Sequence, residues 1–364
     1  MADKKTHAAL NVLINNKIAG RLEKQASGAI KFQYVTEWLE WEHAFAVSLS
    51  LPLGNKVFTG DSVTAVFDNL LPDNLDIRRI VAERTGAGGI DAYSLLEQIG
   101  RDCVGAMQFL PDKLTVDTSP EVKGEPVTEQ EIERILANLA RFPLGIEPEH
   151  GFRISVAGAQ QKTALLFYQG QWMRPINTTP TTHILKPEIG EIPTASGLID
   201  MAASVDNEHY CLKLIEACGL AVNQTQIETF GERRVLVVER FDRFWQGNKK
   251  LLRLPQEDFC QALGVPSSRK YQATVEGREN GPGIVEISEL LQASDEAVQD
   301  RANFFKLQIL FWLIGATDGH AKNFSIFLSP GGGFRLTPFY DVLTAQPAFD
   351  AKQIPRKNYR LAMS

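Results

Sequence analysis

An aspartate, an asparagine and a second aspartate, Asp318, Asn323 and Asp341, fall within residues 315–341, reading GATDGHAKNFSIFLSPGGGFRLTPFYD. These residue types suit phosphoryl transfer. One carboxylate can take the proton of an acceptor hydroxyl, while an asparagine and a carboxylate hold magnesium. The stretch reads as loop, strand, glycine turn (329–333), strand, loop. A hairpin symmetric about Gly331 pairs Asn323 near Phe339 and leaves Asp341 just past that pair, at the same end of the ribbon. Cross-strand diagonal neighbours are about 7–8 Å apart, within reach of one shared metal ion.

Asp318 and Asn323 are separated by the Asp-to-Asn interval of a kinase catalytic loop. The interval alone is common, and a loop whose Asp and Asn cap turns would have it too. No HRD arginine precedes Asp318 and FYDVL is not DFG, which excludes an ordinary eukaryotic protein kinase. Lys322, in the same loop, could stabilise charge developing on a transferring phosphoryl group. His320 lacks a partner at metal spacing and suits a contact to phosphate or loop backbone. Lys186, ending a strand-like run, could reach the α/β-phosphates, with Glu208 on the following helix to orient it. Alone it would read as a surface lysine. Residues 155–162, SVAGAQQK, join two strand-like runs with small residues that let backbone N–H groups approach phosphate. Gln161 stands where a Walker A loop has glycine, and a plain hairpin turn remains the alternative. Ser155 puts a possible phosphoacceptor hydroxyl there. The apolar run 235–241, VLVVERF, could serve as a core strand or as a connection offering its backbone to an adenine edge, with Phe241 or Leu236 against the ring.

Residues 8–35 read as a β-meander with an Asn15-Asn16 turn, which SLSLPLG (48–54) continues. Helical spacing follows over 65–99, then a strand ending in GAMQFL. This first unit carries no chemical motif of its own. Residues 111–126 make the best linker. A helix follows from Thr128, with a capping box to Glu131 and Pro143 as its stop. Strands alternate with one helix, about 205–220, to residue 240. Beyond it the chain turns helical: an amphipathic PQEDFCQALG piece, then 284–293, then 302–315, apolar on nearly all sides and expected to be a central buried helix. The fold class is therefore α+β and bilobal, with an N-terminal α+β subdomain (1–110), a β-rich nucleotide-binding lobe (111–240) and an all-helical catalytic lobe carrying the hairpin (241–364).

Net charge is −6 and the sequence pI about 5.7, which argues against nucleic-acid binding by bulk electrostatics. The four cysteines, Cys103, Cys211, Cys218 and Cys260, form no CxxC pair and read as core thiols in a reducing cytosol. The polar N-terminus MADKKTHAAL is no signal peptide, and no run reaches membrane-span length. A cytoplasmic protein is expected.

The segments FDNLLPDN (67–74), EQIGRDCVGAMQF (97–109), FRISVAGAQQKTALL, THILKPEIGE, VDNEHYCL, VVERFDR, LLRLPQEDFCQ, IGATDGHAKNFSIF and RLTPFYD, in that order, resemble the HipA family of bacterial serine/threonine kinase toxins. The resemblance covers essentially the whole chain. It implies a protein-kinase-like fold using ATP and magnesium, with Asp318 as catalytic base and Asn323 and Asp341 as magnesium ligands. It implies that Ala157, Gly158, Ala159, Gln160, Gln161 and Lys162 cover the phosphates, that Lys186 contacts them, and that Glu239, Arg240 and Phe241 form the hinge to adenine. His320, Lys322 and Tyr340 complete the nucleotide-facing set. Ser155 matches the family's autophosphorylated serine, where about −1.5 to −2 charges would eject the loop and inactivate the enzyme. The implied protein substrate is glutamyl-tRNA synthetase, and the implied partner a small helix-turn-helix antitoxin that binds operator DNA. The family continues with further helices beyond the final Asp, so a longer second lobe is expected than one ending at Ser364. The basic tail (Lys352, Arg356, Lys357, Arg360) reads equally as a DNA-facing surface or a solvated segment. A catalytically idle co-repressor and a small-molecule kinase remain alternatives.

Overall fold

The computed structural model describes residues 7–113, 121–146, 154–158, 160–194, 197–247, 249–272, 274–275 and 278–363. Its first unit opens with the expected meander of β1 (Leu10–Ile14), β2 (Lys17–Lys24) and β3 (Ile30–Tyr34). Asn15 and Asn16 take φ of 48° and 68°, the left-handed pair that a tight hairpin turn requires. Helix α1 (Thr36–Leu39), β4 (Phe58–Thr59), helices α2 (Asp61–Asp68), α3 (Leu75–Thr85) and α4 (Ala92–Ile99), and β5 (Met107–Pro111) follow. The strands form an antiparallel sheet in the order β4-β3-β2-β1-β5. Leu10, Val12, Leu22 and Phe32 of the sheet and Val66, Phe67, Leu95 and Leu96 of the helices are buried in one core. Residues 48–54 do not extend the meander. Ser48 O takes the Leu51 N–H at 3.0 Å in a turn, and Pro52 has no N–H to give a ladder.

The second unit begins with β6 (Gly124–Pro126) and α5 (Glu129–Ala137), whose Thr128–Glu131 capping box is present in both directions. The helix ends at Ala137, six residues before the proline expected to stop it, where the Asn138 side chain takes over the Arg134 carbonyl. Then come β7 (Thr163–Tyr168), β8 (Gln171–Pro175), β9 (His183–Pro187), the ribbon β10 (Gly190–Thr194) and β11 (Gly197–Met201), α6 (Ser204–Ala217), β12 (Thr225–Phe230) and β13 (Arg233–Glu239). A six-stranded sheet, β12-β13-β9-β7-β8-β6, packs against α5 and α6.

The second lobe is helical in α8 and α9, but short strands supplement the hairpin. These are the ribbon β14 (Arg243–Gln246) and β15 (Lys250–Arg253), β16 (Gln256–Asp258), then α7 (Phe259–Ala262) and the two-residue strands β17 (Thr274–Val275) and β18 (Arg278–Glu279). Helices α8 (Ile284–Leu290) and α9 (Ala297–Ile314), the hairpin β19 (Ser325–Leu328) and β20 (Phe334–Leu336), and α10 (Gln346–Asp350) complete the lobe. The PQEDFCQALG piece, read as one helix, is half strand: β16 pairs with β19, and helix starts only after Asp258 caps it. Helix α9 is not buried all round. Phe304, Leu307 and Phe311 enter the core, while Ile309, Trp312 and Leu313 are more than half exposed. The cysteines are free thiols, with Cys103, Cys211 and Cys260 buried. No helix among the described residues is long and apolar enough to cross a membrane.

Candidate active site

The hairpin delivers the polar residues as its symmetry predicts. Ile326 faces Leu336 and Leu328 faces Phe334, and Thr337 N–H donates to Ser325 O at 3.0 Å. Continued, that register sets Asn323 against Phe339, and Asn323 Nδ2 donates to the Asp341 carbonyl at 3.2 Å. Asp341 itself has φ of 58°, a left-handed conformation unusual for aspartate and held by its surroundings. Gly315 (φ 65°) ends α9 and admits no Cβ, which would collide with the Tyr359 hydroxyl. Asp318 lies three residues on, at the open side of the cleft. Crowding on its remaining sides raises its pKa, Tyr271 opposes that by donating a hydrogen bond, and Asp341's charge adds to it.

Lys186 is the electrostatic centre. It is buried on β9, and its Nζ lies 2.8 and 3.1 Å from the two Glu208 oxygens and 2.7 Å from Asp341 Oδ1. Glu208 is buried on α6, so the orienting ion pair expected from the sequence is formed. Burial opposes the Lys186 charge, but Asp341 and Glu208 outweigh it and raise its pKa. Asp341 is correspondingly held well below the usual carboxylate range by the Lys186 and Lys162 ammoniums, against the effect of burial. An ionised carboxylate and an amide oxygen at one end of a hairpin suit magnesium, which takes one or two protein oxygens and completes its shell with phosphate and water. Among the described residues no group of three or more His, Cys, Asp or Glu is placed to hold a metal ion.

The 155–162 loop lies over this centre. Ser155 is fully buried, with Oγ donating to Leu70 O at 2.7 Å and N–H to Asp102 O at 2.9 Å. Gly158 has φ of 107°, and a Cβ there would sit 2.7 Å from Lys162 Nζ. Lys162 folds back onto its own loop, donating to Ala157 O at 2.7 Å. Burial first, then the Lys186 charge, brings its pKa down to about 8. Gln160 Nε2 donates to Pro187 O at 3.2 Å and Gln161 is exposed. Ala159 lies outside the described residues. At the other side Phe241 packs against Tyr340, with ring centroids 5.6 Å apart, and Tyr340's hydroxyl donates to Lys322 O at 3.0 Å.

Two residues expected to face the nucleotide point elsewhere. Lys322 turns away from the cleft and donates to Asn69 O, Asn69 Oδ1 and Asp258 Oδ2, each at 2.9 Å. Arg240 donates its N–H to Thr182 O at 2.8 Å, and its side chain leaves the expected hinge. Its guanidinium joins Arg243 and Arg253 around Asp102 and Asp242, all buried. Burial works against the Asp102 charge, but the three arginines hold its carboxyl well below the usual range. Glu239 N–H is taken by Gln224 O at 3.0 Å. His320 is buried beside Lys270 with its pKa lowered to about 3, chiefly by burial, so it is neutral.

The first unit, without a chemical motif of its own, nevertheless touches the site. Its FDNLLPDN segment reaches the active site through Asn69 on Lys322, Leu70 on Ser155, and Pro72 bridging Gly158. Asp73 N–H donates to Gly158 O at 3.3 Å, and its carboxylate pairs with Lys270 at 2.7 Å. Asn207, next to Glu208, clamps the segment after Asp341 with two hydrogen bonds to the Thr344 backbone, at 2.8 and 2.9 Å. The signal available in the sequence was the density of Asn and Asp in two apolar segments.

A sheet lysine paired with a helix glutamate, a covering loop and an Asp/Asn/Asp hairpin in the opposing lobe define a kinase-like phosphotransferase. The HipA-like C-terminal domain model matches residues 154–364 and the HipA N-terminal domain model residues 10–110. The protein named "Putative kinase Y4mE" from Sinorhizobium fredii is 33% identical over 99% of this chain and 83% of its own. Serine/threonine-protein kinase toxin HipA of Shewanella oneidensis is 27% identical over 94% of this chain and 77% of its own. A solved structure of Shewanella oneidensis HipA with HipB and operator DNA superposes with a TM-score of 0.78 at 24% identity, covering 98% of this chain and 79% of that one. The chain belongs to the HipA family and is a serine/threonine protein kinase of that family, with its mixed α/β kinase-like fold.

Proposed function

We propose that the chain transfers the γ-phosphoryl group of ATP, with magnesium, to a serine or threonine of a protein, and acts as a growth-arresting toxin. The observation that carries this reading is Lys186 Nζ bridging Glu208 and Asp341 across the two lobes, at 2.8 and 2.7 Å. Asp318 accepts the acceptor hydroxyl's proton. Its raised pKa suits a group that must take a proton and release it. Lys186 and the backbone of the 157–162 loop hold the phosphates, and the 239–241 backbone meets the adenine beside Phe241. Asn323 and Asp341 would hold magnesium, which neutralises phosphate charge when bound.

The substrate reading, glutamyl-tRNA synthetase, rests on the family resemblance. The partner reading, a small helix-turn-helix antitoxin contacting operator DNA, is supported by the HipA–HipB–operator assembly of the structural relative. Self-inactivation at Ser155 is supported by the buried hydroxyl in the covering loop. A phosphate cannot fit where Oγ now meets Leu70, so its addition displaces the loop that covers the nucleotide. The test is incubation of the purified chain with ATP, magnesium and glutamyl-tRNA synthetase, followed by intact-mass measurement of the synthetase. One added phosphate per molecule is expected; an unmodified synthetase beside an autophosphorylated kinase overturns the substrate assignment alone.

A further inference from the structure

Tyr271 is absorbed by none of the roles above, yet it touches the group on which the chemistry depends. Its hydroxyl donates to Asp318 Oδ1 at 2.6 Å. A general base must stand about 2.6–3.2 Å from the oxygen whose proton it removes, so a serine or threonine acceptor would have to place its own hydroxyl within the same reach of that carboxylate. Burial and the neighbouring Asp318 charge raise the phenol's pKa, so it is a standing donor.

The tyrosine is held in place from several directions. Its ring meets His320 edge-on, with centroids 4.8 Å apart. Lys270 Nζ lies 5.5 Å from the ring centroid and pairs with Asp73 of the first unit at 2.7 Å. Lys270 O accepts the Ala321 N–H at 3.1 Å, tying the segment to the catalytic loop. Gly281 packs so closely on the Arg269 and Tyr271 carbonyls that it has no room for a Cβ. The segment is thus anchored to the first unit through Asp73 and to the catalytic loop through Ala321, while Tyr271 stays 39% exposed.

We propose that Tyr271 is a gate on the base: its hydroxyl occupies the acceptor's place on Asp318, keeps water from being activated there, and is displaced by the hydroxyl of a protein substrate. The proposal rests on Asp318 being the base. Without the gate, a water oxygen bonds to the γ-phosphorus, its proton passes to Asp318, and the bond from phosphorus to the bridging oxygen breaks to release ADP. With the gate in place that wasteful hydrolysis is suppressed until a substrate arrives.

The test uses the whole chain, ATP and magnesium with no second protein as acceptor, and reads the initial release of inorganic phosphate, which self-phosphorylation does not produce, and the ATP dissociation constant. Tyr271→Phe keeps the ring on His320 and removes only the hydroxyl. It should raise the hydrolysis kcat on the order of tenfold, the worth of one charge-assisted hydrogen bond, with ATP affinity unchanged. Lys270→Ala, which frees the segment from Asp73, should act in the same direction. Adding Asp318→Asn to Tyr271→Phe should return hydrolysis to background. Hydrolysis no faster than wild type in both single variants, with Asp318→Asn inert, overturns the gate and leaves the base standing. Hydrolysis by the Tyr271→Phe/Asp318→Asn double variant at the raised Tyr271→Phe rate overturns both.

Discussion

Glu257 offers a sharp test of the electrostatics that join the first unit to the second lobe. It sits on β16 with no exposed surface, and its Oε1 accepts the Leu49 N–H at 2.8 Å. Its other oxygen has no partner among the described residues. Burial raises its pKa from 4.5 to about 8, although the Leu49 hydrogen bond works against the shift. The folded state therefore holds this proton where the unfolded chain releases it. The stability that follows is fully present below pH 4.5 and is lost as pH rises through about 8. At roughly 1.36 kcal/mol per pH unit, about three units of offset at pH 7.5 correspond to about 4 kcal/mol as an upper figure. Glu257→Gln keeps the oxygen that Leu49 uses and cannot ionise. Its NH2 replaces the partnerless oxygen, an unsatisfied donor costing roughly 1–3 kcal/mol. The variant should be more stable than wild type by about 1–3 kcal/mol near pH 7.5, and equal or less stable near pH 5. Urea unfolding of both proteins across this range is the assay. A gap between them that does not change with pH would refute the reasoning.

Lys186→Met should abolish phosphotransfer and destabilise the fold by roughly 3–5 kcal/mol, because Glu208 is left buried without a counter-charge. The double variant Lys186→Met/Glu208→Gln should recover most of the stability and none of the activity, separating the two effects by thermal unfolding and label transfer from ATP. Asp102→Asn should cost roughly 3–5 kcal/mol, since three buried arginines lose a shared carboxylate. It should also weaken ATP binding through the hinge at Arg240, read by titration calorimetry.

The parts of this site that were legible in the sequence are those set by local rules. The glycine turn fixed the hairpin's symmetry, which placed Asn323 opposite Phe339 and Asp341 beside it. The spacing from Lys186 to a helical Glu208 foretold their ion pair, and the Thr128–Glu131 box marked a helix start. What escaped is set by partners far along the chain. Lys322 stands in a catalytic loop, but its long side chain ends on Asn69 and Asp258, and only the docking of the first unit decides that direction. Arg240 sits at the hinge by sequence, yet Asp102, more than a hundred residues earlier, takes its guanidinium. Residues 256–258 read as helix because the last of them, Asp258, caps α7, while their pairing to β19 depends on a strand some seventy residues away. Helix α9 is apolar on nearly all sides, and that pattern does not reveal which face the core takes.

The central claim is that Asp318 takes the acceptor's proton in an ATP-dependent transfer to a hydroxyl. Its most direct test is phosphopeptide mass spectrometry of wild type and Asp318→Asn after incubation with ATP and magnesium, alongside ATP binding by each. The account predicts phosphate on the wild-type chain, at Ser155, and none on a variant that binds ATP with undiminished affinity. Phosphate accumulating on Asp318→Asn at the wild-type rate would contradict it.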